Sequence, residues 1–156
     1  LVTTLIDEEI NALMGMLAEV ESADRLLGTM IRGFHAHYAD RLHAFRFVYG
    51  QSQLYTIPEF AVDADMIRDE ITPRTRRLFD QLEAQLGNPD LSAERRQAFR
   101  RLAFVAWTSA LGLVTMLGIA EATRDPLLHS DELLVDTLAR AFDARVAAQL
   151  QEPASR

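Results

Sequence analysis

The uncharged run Leu102–Ala120 is the feature that most constrains the fold of this chain. It reads LAFVAWTSALGLVTMLGIA, and it is bounded by Arg100 and Arg101 on one side and by Glu121 on the other. A membrane-spanning helix needs about 20 apolar residues, so the run has the length of a span. We expect it instead to be the central helix of a soluble helical domain, covered on every side. The rest of the chain offers amphipathic helices whose apolar faces need a partner.

Small and hydroxyl-bearing residues within the run favour this interpretation. They are Thr108, Ser109, Gly112, Thr115 and Gly118. Such residues weaken a lone helix that faces lipid, yet they suit a helix packed closely against other helices. The chain also opens without a basic segment of the kind that begins a secretory signal. We therefore expect no membrane partner and a cytoplasmic location.

Composition bounds the class of protein. The chain has 156 residues, 49% of them hydrophobic and 25% charged, with a net charge of −7. These values fit a single globular domain, residues 1–156, with its own core. An acidic chain is by itself a poor nucleic-acid binder, because phosphate contacts need a basic face. The absence of cysteine excludes disulfides and thiolate chemistry.

Apolar residues recur at intervals of three and four along nearly the whole chain, and no sustained alternation is visible. The pattern predicts an all-α fold, an antiparallel bundle of about six helices. The first is expected at about Thr4–Val20 and the fifth to end near Thr123. Candidate N-caps precede four of the helices: Ser22, Asp40, Ser92 and Ser130.

Glycine and proline mark the predicted breaks. Gly87 followed by Pro89 predicts the end of the helical stretch that resumes near Ala64. Within that stretch, Thr72-Pro73 fits either a cap with its first helical residue or a kink. The segments TIPEFAVD and RDPLLH are predicted loops, and the tail QEPASR is predicted to fray.

Four segments carry a resemblance to a known family. LVTTLIDEEINALMGML, ADRLHAFRFVYGQ, AWTSALGLVTMLGIAEA and SDELLVDTLARAFDARV occur in that order. They resemble, respectively, the helix after the DNA-binding domain, the short His-Pro-x-Leu-Phe-Arg helix, the long penultimate helix and the closing helix of TetR-like transcriptional regulators. The match covers nearly the whole chain and corresponds to the effector-binding and dimerisation domain of that family.

The resemblance implies a homodimer that senses a small apolar or aromatic effector. It implies contact with DNA only through an N-terminal helix-turn-helix domain, which these residues do not include. Because the chain opens with Leu1 rather than Met, we expect it to be part of a longer protein. No enzymatic activity and no cofactor are implied.

Large adaptable side chains of the second, third and central helices are the candidates for a ligand pocket. The candidates are Met30, Phe34, His37, Phe45, Tyr49, Met66, Trp107, Thr108 and Leu111. Pockets between helices are mostly apolar with a few polar groups for orientation, here His37 and Thr108. The alternative is that the apolar members are ordinary core residues, as most residues of their type are. Arg46 fits either an acidic effector or a surface ion pair.

A second set of residues is predicted to form the dimer interface through the last two helices. Its members are Ala110, Leu117, Leu134, Leu138, Ala141, Phe142 and Arg145. The expected assembly is a C2 dimer in which each patch meets its own copy. The alternative is that the same stripe packs within one chain.

Two other functional classes remain open, a helical interaction module without a pocket and a helical metal-dependent enzyme. A di-metal bundle needs Glu-x-x-His pairs on facing helices, and the core helices contain none. His129 and Glu132 have the opposite order at a helix start, while His35 and His37 point to opposite sides of a helix. We therefore predict no catalytic and no metal-binding residues.

Overall fold

The computed structural model describes residues 1–50, 64–88, 90–124 and 129–151, and most of these residues are helical with no strand among them. The prediction of an all-α bundle is confirmed. Six helices follow one another in the described parts of the chain. They are α1 (Val2–Ala18), α2 (Leu26–Tyr38, after a 3₁₀ turn Ala23–Arg25), α3 (Leu42–Phe45, continued by a π-helical turn Arg46–Gly50), α4 (Ala64–Met66, a π-helical turn Ile67–Ile71, then Thr72–Ala84), α5 (Ala93–Thr123) and α6 (Asp131–Gln151).

The centre of the bundle is α2, and the prediction that the uncharged run would be the central helix is wrong. α2 packs against α1, α5 and α6, while α4 packs against α1 and α5. Its predicted apolar residues are all buried: Leu26, Leu27, Met30, Ile31, Phe34 and Tyr38. Gly28 and Gly33 let neighbouring helices come close, since any side chain there would overlap Asp143 or Met16.

The uncharged run lies in α5, and it is not covered on every side as predicted. Phe99, Ala106 and Val114 face the core, but Phe104 and Met116 are 54% and 56% exposed. The reason is that α5 has apolar residues all around its circumference, whereas α2, α4 and α6 contact only part of it. An apolar surface of α5 is therefore left open within one chain.

By length and composition α5 could also cross a membrane. Its most apolar 18-residue window has a mean hydropathy of 1.9, and 28% of that window is buried in the fold. It is the one helix in the described ranges with this property. Core helices of soluble proteins can share such length and composition, so this property alone does not place the chain in a membrane.

The N-caps predicted for the two longest described helices, α5 and α6, are confirmed. The Ser92 hydroxyl accepts the backbone N–H of Arg95, and the Ser130 hydroxyl accepts that of Leu133, each at 3.3 Å. Gly87 adopts a left-handed conformation (φ +64°) just after α4, as the sequence predicts.

Ser22 occupies the N-cap position of the 3₁₀ turn before α2, but the predicted hydrogen bond from its hydroxyl is wrong, and the cap predicted at Asp40 is wrong. The Ser22 hydroxyl donates to the carboxylate of Asp24 instead of accepting a backbone N–H. Arg41, not Asp40, occupies the N-cap position of α3, and no side chain caps that helix. Ser22 precedes a 3₁₀ turn rather than a regular α-helical turn.

Pro73 lies in the first turn of Thr72–Ala84, the longest regular α-helical part of α4. The π-helical turn Ile67–Ile71 leads directly into this part without a break in the helical winding. The carbonyl of Ile67 accepts the backbone N–H of Thr72 and also its hydroxyl, the latter at 2.9 Å. Wider turns of this kind are a known way to accommodate proline within a helix. Ile71 rather than Thr72 occupies the N-cap position, so Thr72 is not the predicted cap, while Pro73 does lie in the first helical turn.

Polar contacts join α2 to α6. The backbone N–H of Gly28, in the first turn of α2, donates to Asp143 Oδ1 at 2.7 Å. Arg32 binds Asp136 at 2.8 Å and lies 3.7 Å from Asp143. Asp143 therefore satisfies an amide that the helix itself leaves without an acceptor.

Three predicted features fall outside the described residues. The loop TIPEFAVD lies within 51–63, the middle of RDPLLH lies at 125–128, and most of the tail lies at 152–156. α1 begins and ends two residues earlier than predicted, at Val2–Ala18.

Candidate functional site

A single buried carboxylate marks the candidate site. Glu9 lies on the apolar stripe of α1, three residues after Ile6 and four before Leu13, and helical periodicity turns all three toward the core. The side chain is 1% exposed. It is the one charged residue fully buried in the described parts of the chain.

Two tyrosines provide the hydrogen bonds that Glu9 needs in this position. The hydroxyl of Tyr38, from the end of α2, donates to Glu9 Oε2 at 2.5 Å. The hydroxyl of Tyr49, from the π-helical turn after α3, lies 2.9 Å from Oε1 and 2.8 Å from Oε2. Three separate elements thus meet at one carboxyl group.

Burial dominates the electrostatics of this group. Removal from water raises the pKa of Glu9 to about 7, although the hydrogen bonds from Tyr38 and Tyr49 act in the opposite direction. Burial and the neighbouring carboxylate also raise the pKa of both tyrosines well above the ordinary value. The two hydroxyls therefore remain protonated donors, while Glu9 changes charge near neutral pH.

A small cavity of about 50 Å³ lies beside Glu9. Its walls come from α1, the turn after α3, α4 and α5, through the residues Ile6, Glu9, Ile10, Tyr49, Ile71, Thr75, Leu78 and Trp107. The indole N–H of Trp107 is buried and has no hydrogen-bond partner in the described part of the chain. An unpaired buried N–H is unusual, because buried polar groups are normally paired.

Aromatic rings hold one wall of the cavity. Tyr49 contacts Phe34, Phe45 and Trp107 edge-on or tilted, with ring centroids 6.0, 5.3 and 6.3 Å away. Phe79 of α4 contacts Trp107 from another side, at 6.2 Å. These contacts fix the orientation of the tyrosine and the indole from several directions.

The structure brings only part of the predicted ligand set to this cavity. Tyr49 and Trp107 line it, and Phe34 and Phe45 lie directly behind Tyr49. Met30 is buried in the core, Leu111 packs against the core, and Met66 is half-buried at the start of α4.

The two predicted polar contacts lie elsewhere. Thr108 is exposed on α5, and its hydroxyl donates to the carbonyl of Val105 at 3.0 Å. His37 is half-buried with its ring against Tyr38, and burial and the nearby Arg41 lower its pKa. Neither residue lines the cavity. Glu9, which lines it, and Tyr38, which donates to Glu9, were absent from the predicted set.

The predicted interface residues divide into three groups. Ala110 is buried inside its own chain, and Leu138 and Phe142 pack against the core. Leu117 and Leu134 are half-buried, while Ala141 and Arg145 are exposed. Arg46 donates to the carbonyl of Gly118 at 2.7 Å and binds Glu121, so it joins α3 to α5.

A larger depression, of about 570 Å³, opens between the end of α4 and the start of α5. Asp80, Glu83, Arg96 and Arg100 line it, and Arg100 binds both acids at 2.7 and 2.9 Å. Its charged groups are partly open to water, and Arg100, Asp80 and Glu83 already pair with one another. The smaller cavity beside Glu9 is therefore the better candidate site, because its polar groups are shielded from solvent.

No group of three or more His, Asp or Glu side chains within the described ranges is arranged to hold a metal ion. Comparison of the chain with models of protein families, with curated proteins and with solved structures found no match.

Proposed function

We propose that this chain is the ligand-sensing and dimerisation domain of a TetR-like transcriptional regulator, and that it binds a small apolar or aromatic effector. The observation that carries the proposal is the small cavity beside Glu9, which is lined mostly by apolar residues and by the side chains of Tyr49 and Trp107. Ligand pockets between helices combine apolar walls with a few convergent polar groups. A carboxyl group with a strongly shifted pKa beside a cavity also favours a functional site over plain core.

Dimerisation is supported by the uncovered apolar surface of α5. Val105, Thr108, Gly112, Met116 and Ile119 follow one another at helical spacing and are all exposed. Gly112 has no neighbour within 4 Å of the position its Cβ would take, so a second helix could approach closely there. Large exposed apolar surfaces on a helix mark sites of association. A second copy of the chain, related by a two-fold axis, would cover both α5 surfaces at once.

The same geometry suggests how an effector would act. α1 holds Glu9 at the cavity and is also the helix that would connect to a separate helix-turn-helix domain. α4 reaches the cavity through Ile71, at its π-helical turn. If α1 and α4 can adopt two arrangements, a ligand that binds one arrangement more tightly shifts the equilibrium toward it, by an amount set by the difference in affinity. The spacing of two DNA-binding domains in the dimer would change with that balance.

A thermal-melt screen of the purified chain against apolar and aromatic compounds tests this function. A ligand at about a hundred times its Kd stabilises the folded state by about 2.7 kcal/mol, which a melt detects easily. Trp107, the chain's single tryptophan, reports binding by its fluorescence. We expect at least one compound to raise the Tm and change that emission.

A pair of variants on α4 tests whether the ligand binds in this cavity. Ile71 lines the cavity, while Ile67, one turn earlier on α4, is 42% exposed. Ile71→Phe fills the cavity and should abolish the ligand-induced shift, whereas Ile67→Phe should leave it intact. Equal shifts in both variants, or no shift with any compound in the unmodified chain, would count against a sensing site here.

A helical interaction module without a ligand is the second candidate, and the exposed surface of α5 favours it. Such a module would associate through α5 but would show no stabilisation by any compound in the screen. Association without ligand binding would therefore replace the sensing function with this one.

A further inference from the structure

Glu9 is buried without a cationic partner. In the described parts of the chain its carboxyl group receives side-chain hydrogen bonds from two neutral donors, the hydroxyls of Tyr38 and Tyr49. Neutral donors offset only part of the cost of removing a carboxylate from water, which is why buried charges are normally paired with opposite charges. Ionised Glu9 is therefore more stable in any conformation that lets water reach its side chain.

The charged and titratable groups around Glu9 come from α1, α2, the start of α3 and α4, and they are engaged with one another. Asp7 and Glu8 bind arginines at 3.0 and 2.8 Å, and the ring of His37 packs against Tyr38. None of these groups pairs with Glu9 within the described residues. The full set is Asp7, Glu8, His37, Arg41, Glu70, Arg74 and Arg77.

The π-helical turn Arg46–Gly50, which carries Tyr49, is the shortest of the three elements that meet at Glu9. It has five residues, against 17 in α1 and 13 in α2, and Val48 is its one buried residue. α3, just before it, has four residues, too few to form a stable helix without packing. Segments with little buried surface open at a lower free energy than the core does. Displacement of this turn is therefore the least costly way to bring water to Glu9.

We propose that the charge on Glu9 controls the position of the turn Arg46–Gly50. The turn stays packed against α1 while Glu9 is neutral, and a conformation with the turn displaced gains population when Glu9 is ionised. Tyr49 is also a wall of the cavity, so the displacement opens the cavity on that side. The movement needs no ligand, and it is therefore independent of the proposed sensing function.

The direction of the pH dependence follows from the difference between the two conformations. The pKa of Glu9 is about 7 with the turn packed, because burial raises it, and approaches its ordinary value of 4.5 once water reaches the carboxylate. An acid whose pKa is higher in one conformation favours that conformation at low pH. The displaced population therefore increases from about pH 4.5 to about pH 7, and is level above that.

Cysteine labelling measures this movement, because the chain has no cysteine of its own. Val48→Cys places a thiol in the turn, where Val48 is 7% exposed. Val146→Cys makes the same change in α6, where Val146 is fully buried. Thr4→Cys, at an exposed site on α1, gives the rate for an unprotected thiol, and the other two rates are divided by it at each pH.

We expect the normalised rate of Val48→Cys to exceed that of Val146→Cys at pH 8. It should also fall at least ten-fold when the pH is lowered from 8 to 5. Low urea should accelerate labelling in Val146→Cys but hardly in Val48→Cys, since a local movement exposes little new surface. Equal normalised rates in the two variants would overturn the local movement.

Glu9→Gln, combined with Val48→Cys, tests whether Glu9 is the group responsible. The pH dependence of the normalised rate should vanish in this double variant, whatever its absolute rate. It should persist with Glu8→Gln, which changes the neighbouring exposed acid. His37 is unchanged in both combinations, so a pH dependence that survives Glu9→Gln would overturn the role of Glu9.

Hydrogen exchange makes the same comparison on the chain without a cysteine, and it decides if Val48→Cys does not fold. Relative to their intrinsic rates, the backbone amides of Arg46–Gly50 should exchange at least ten-fold faster at pH 8 than at pH 5. They should also exchange faster than the amides of α2. Equal protection of the turn and of α2 at both pH values would overturn the proposal.

Discussion

Ionising Glu9 inside the fold costs more free energy than ionising it in water, and this ties the stability of the domain to pH. The pKa of Glu9 is about 7 in the folded chain, against an ordinary value of 4.5. Between these two values the unfolded chain has lost the proton while the folded chain keeps it. Stability is therefore highest below about pH 4.5 as far as this group is concerned, falls as pH rises to about 7, and is level above that.

Replacing Glu9 by glutamine should remove that pH dependence. Glutamine cannot ionise, so the Glu9→Gln variant should gain stability relative to the unmodified chain by about 3 kcal/mol between pH 4.5 and pH 8. Urea unfolding of both proteins at several pH values measures the difference. Glu8→Gln is the matched control, since Glu8 lies next to it but is half-exposed and pairs with Arg41. An unchanged pH profile in Glu9→Gln would contradict the assignment.

Gly28 and Gly15 should respond in opposite ways to alanine. A Cβ at Gly28 would overlap the carboxylate of Asp143, which also accepts the Gly28 N–H. We expect Gly28→Ala to destabilise the chain by about 2 kcal/mol or more, as overpacking does. Gly15 is exposed within α1 and has open space at its Cβ, so Gly15→Ala should stabilise by about 0.5–1 kcal/mol. Chemical denaturation measures both, and a neutral Gly28→Ala would count against this packing.

Glu9 also shows which features of the candidate site could be predicted from the sequence and which could not. Its position between Ile6 and Leu13 on the apolar stripe was visible in the sequence, because a carboxylate at that spacing is turned toward the core. Its partners were not visible, since Tyr38 and Tyr49 reach it only through the packing of α2 and the turn after α3. Residue type and spacing can therefore flag such a group, but cannot supply its surroundings.

Ser22 and Ser92 were both predicted to cap helices, but replacing them by alanine should affect the stability of the chain differently. Ser92 accepts a backbone N–H at the start of α5, whereas Ser22 donates to Asp24 and caps no helix. Ser92→Ala should cost about 1 kcal/mol, the usual price of a lost N-cap. Ser22→Ala should change stability by less than about 0.5 kcal/mol, as exposed substitutions do. Equal losses in thermal or urea unfolding would contradict this difference.

Helix ends were predictable where the determining contact is local. Ser92, Ser130 and Gly87 act through atoms within three residues, so the sequence contains the whole interaction. The π-helical turn before Pro73 was not predictable in the same way. Its wider geometry reflects both the proline and the packing of α4 against α1, which lies far away in sequence.

Charging the exposed surface of α5 should separate the dimer without unfolding the chain. Val105 and Met116 are 50% and 56% exposed, so glutamate at either position meets water in a monomer but would be buried in the proposed dimer. Sedimentation should show a dimer for the unmodified chain at micromolar concentration and a folded monomer for Val105→Glu/Met116→Glu. Thr4→Glu, on the exposed side of α1, is the control and should remain dimeric. A monomeric unmodified chain would reject the dimer.

At the scale of the whole molecule, the fold class was predictable but the arrangement was not. Helical periodicity alone indicates an all-α bundle, because it depends only on neighbouring residues. Which helix occupies the centre depends on contacts among several helices. The most apolar helix, α5, was expected there, but α2 occupies the centre because its glycines admit close neighbours on more than one side.

The π-helical turns also bear on how the length of this chain can vary. A π-helical turn contains about one residue more than an α-helical turn, so each is a place where a helix has taken in an extra residue without breaking. Loss of one residue from Ile67–Ile71 would restore regular winding and leave the residues on either side close to their present faces, because the wider turn accommodates the extra residue locally. Thr75 and Leu78, which follow the turn, would keep their places at the cavity. Single-residue insertions and deletions can therefore accumulate in this part of the chain while the site beside Glu9 is preserved.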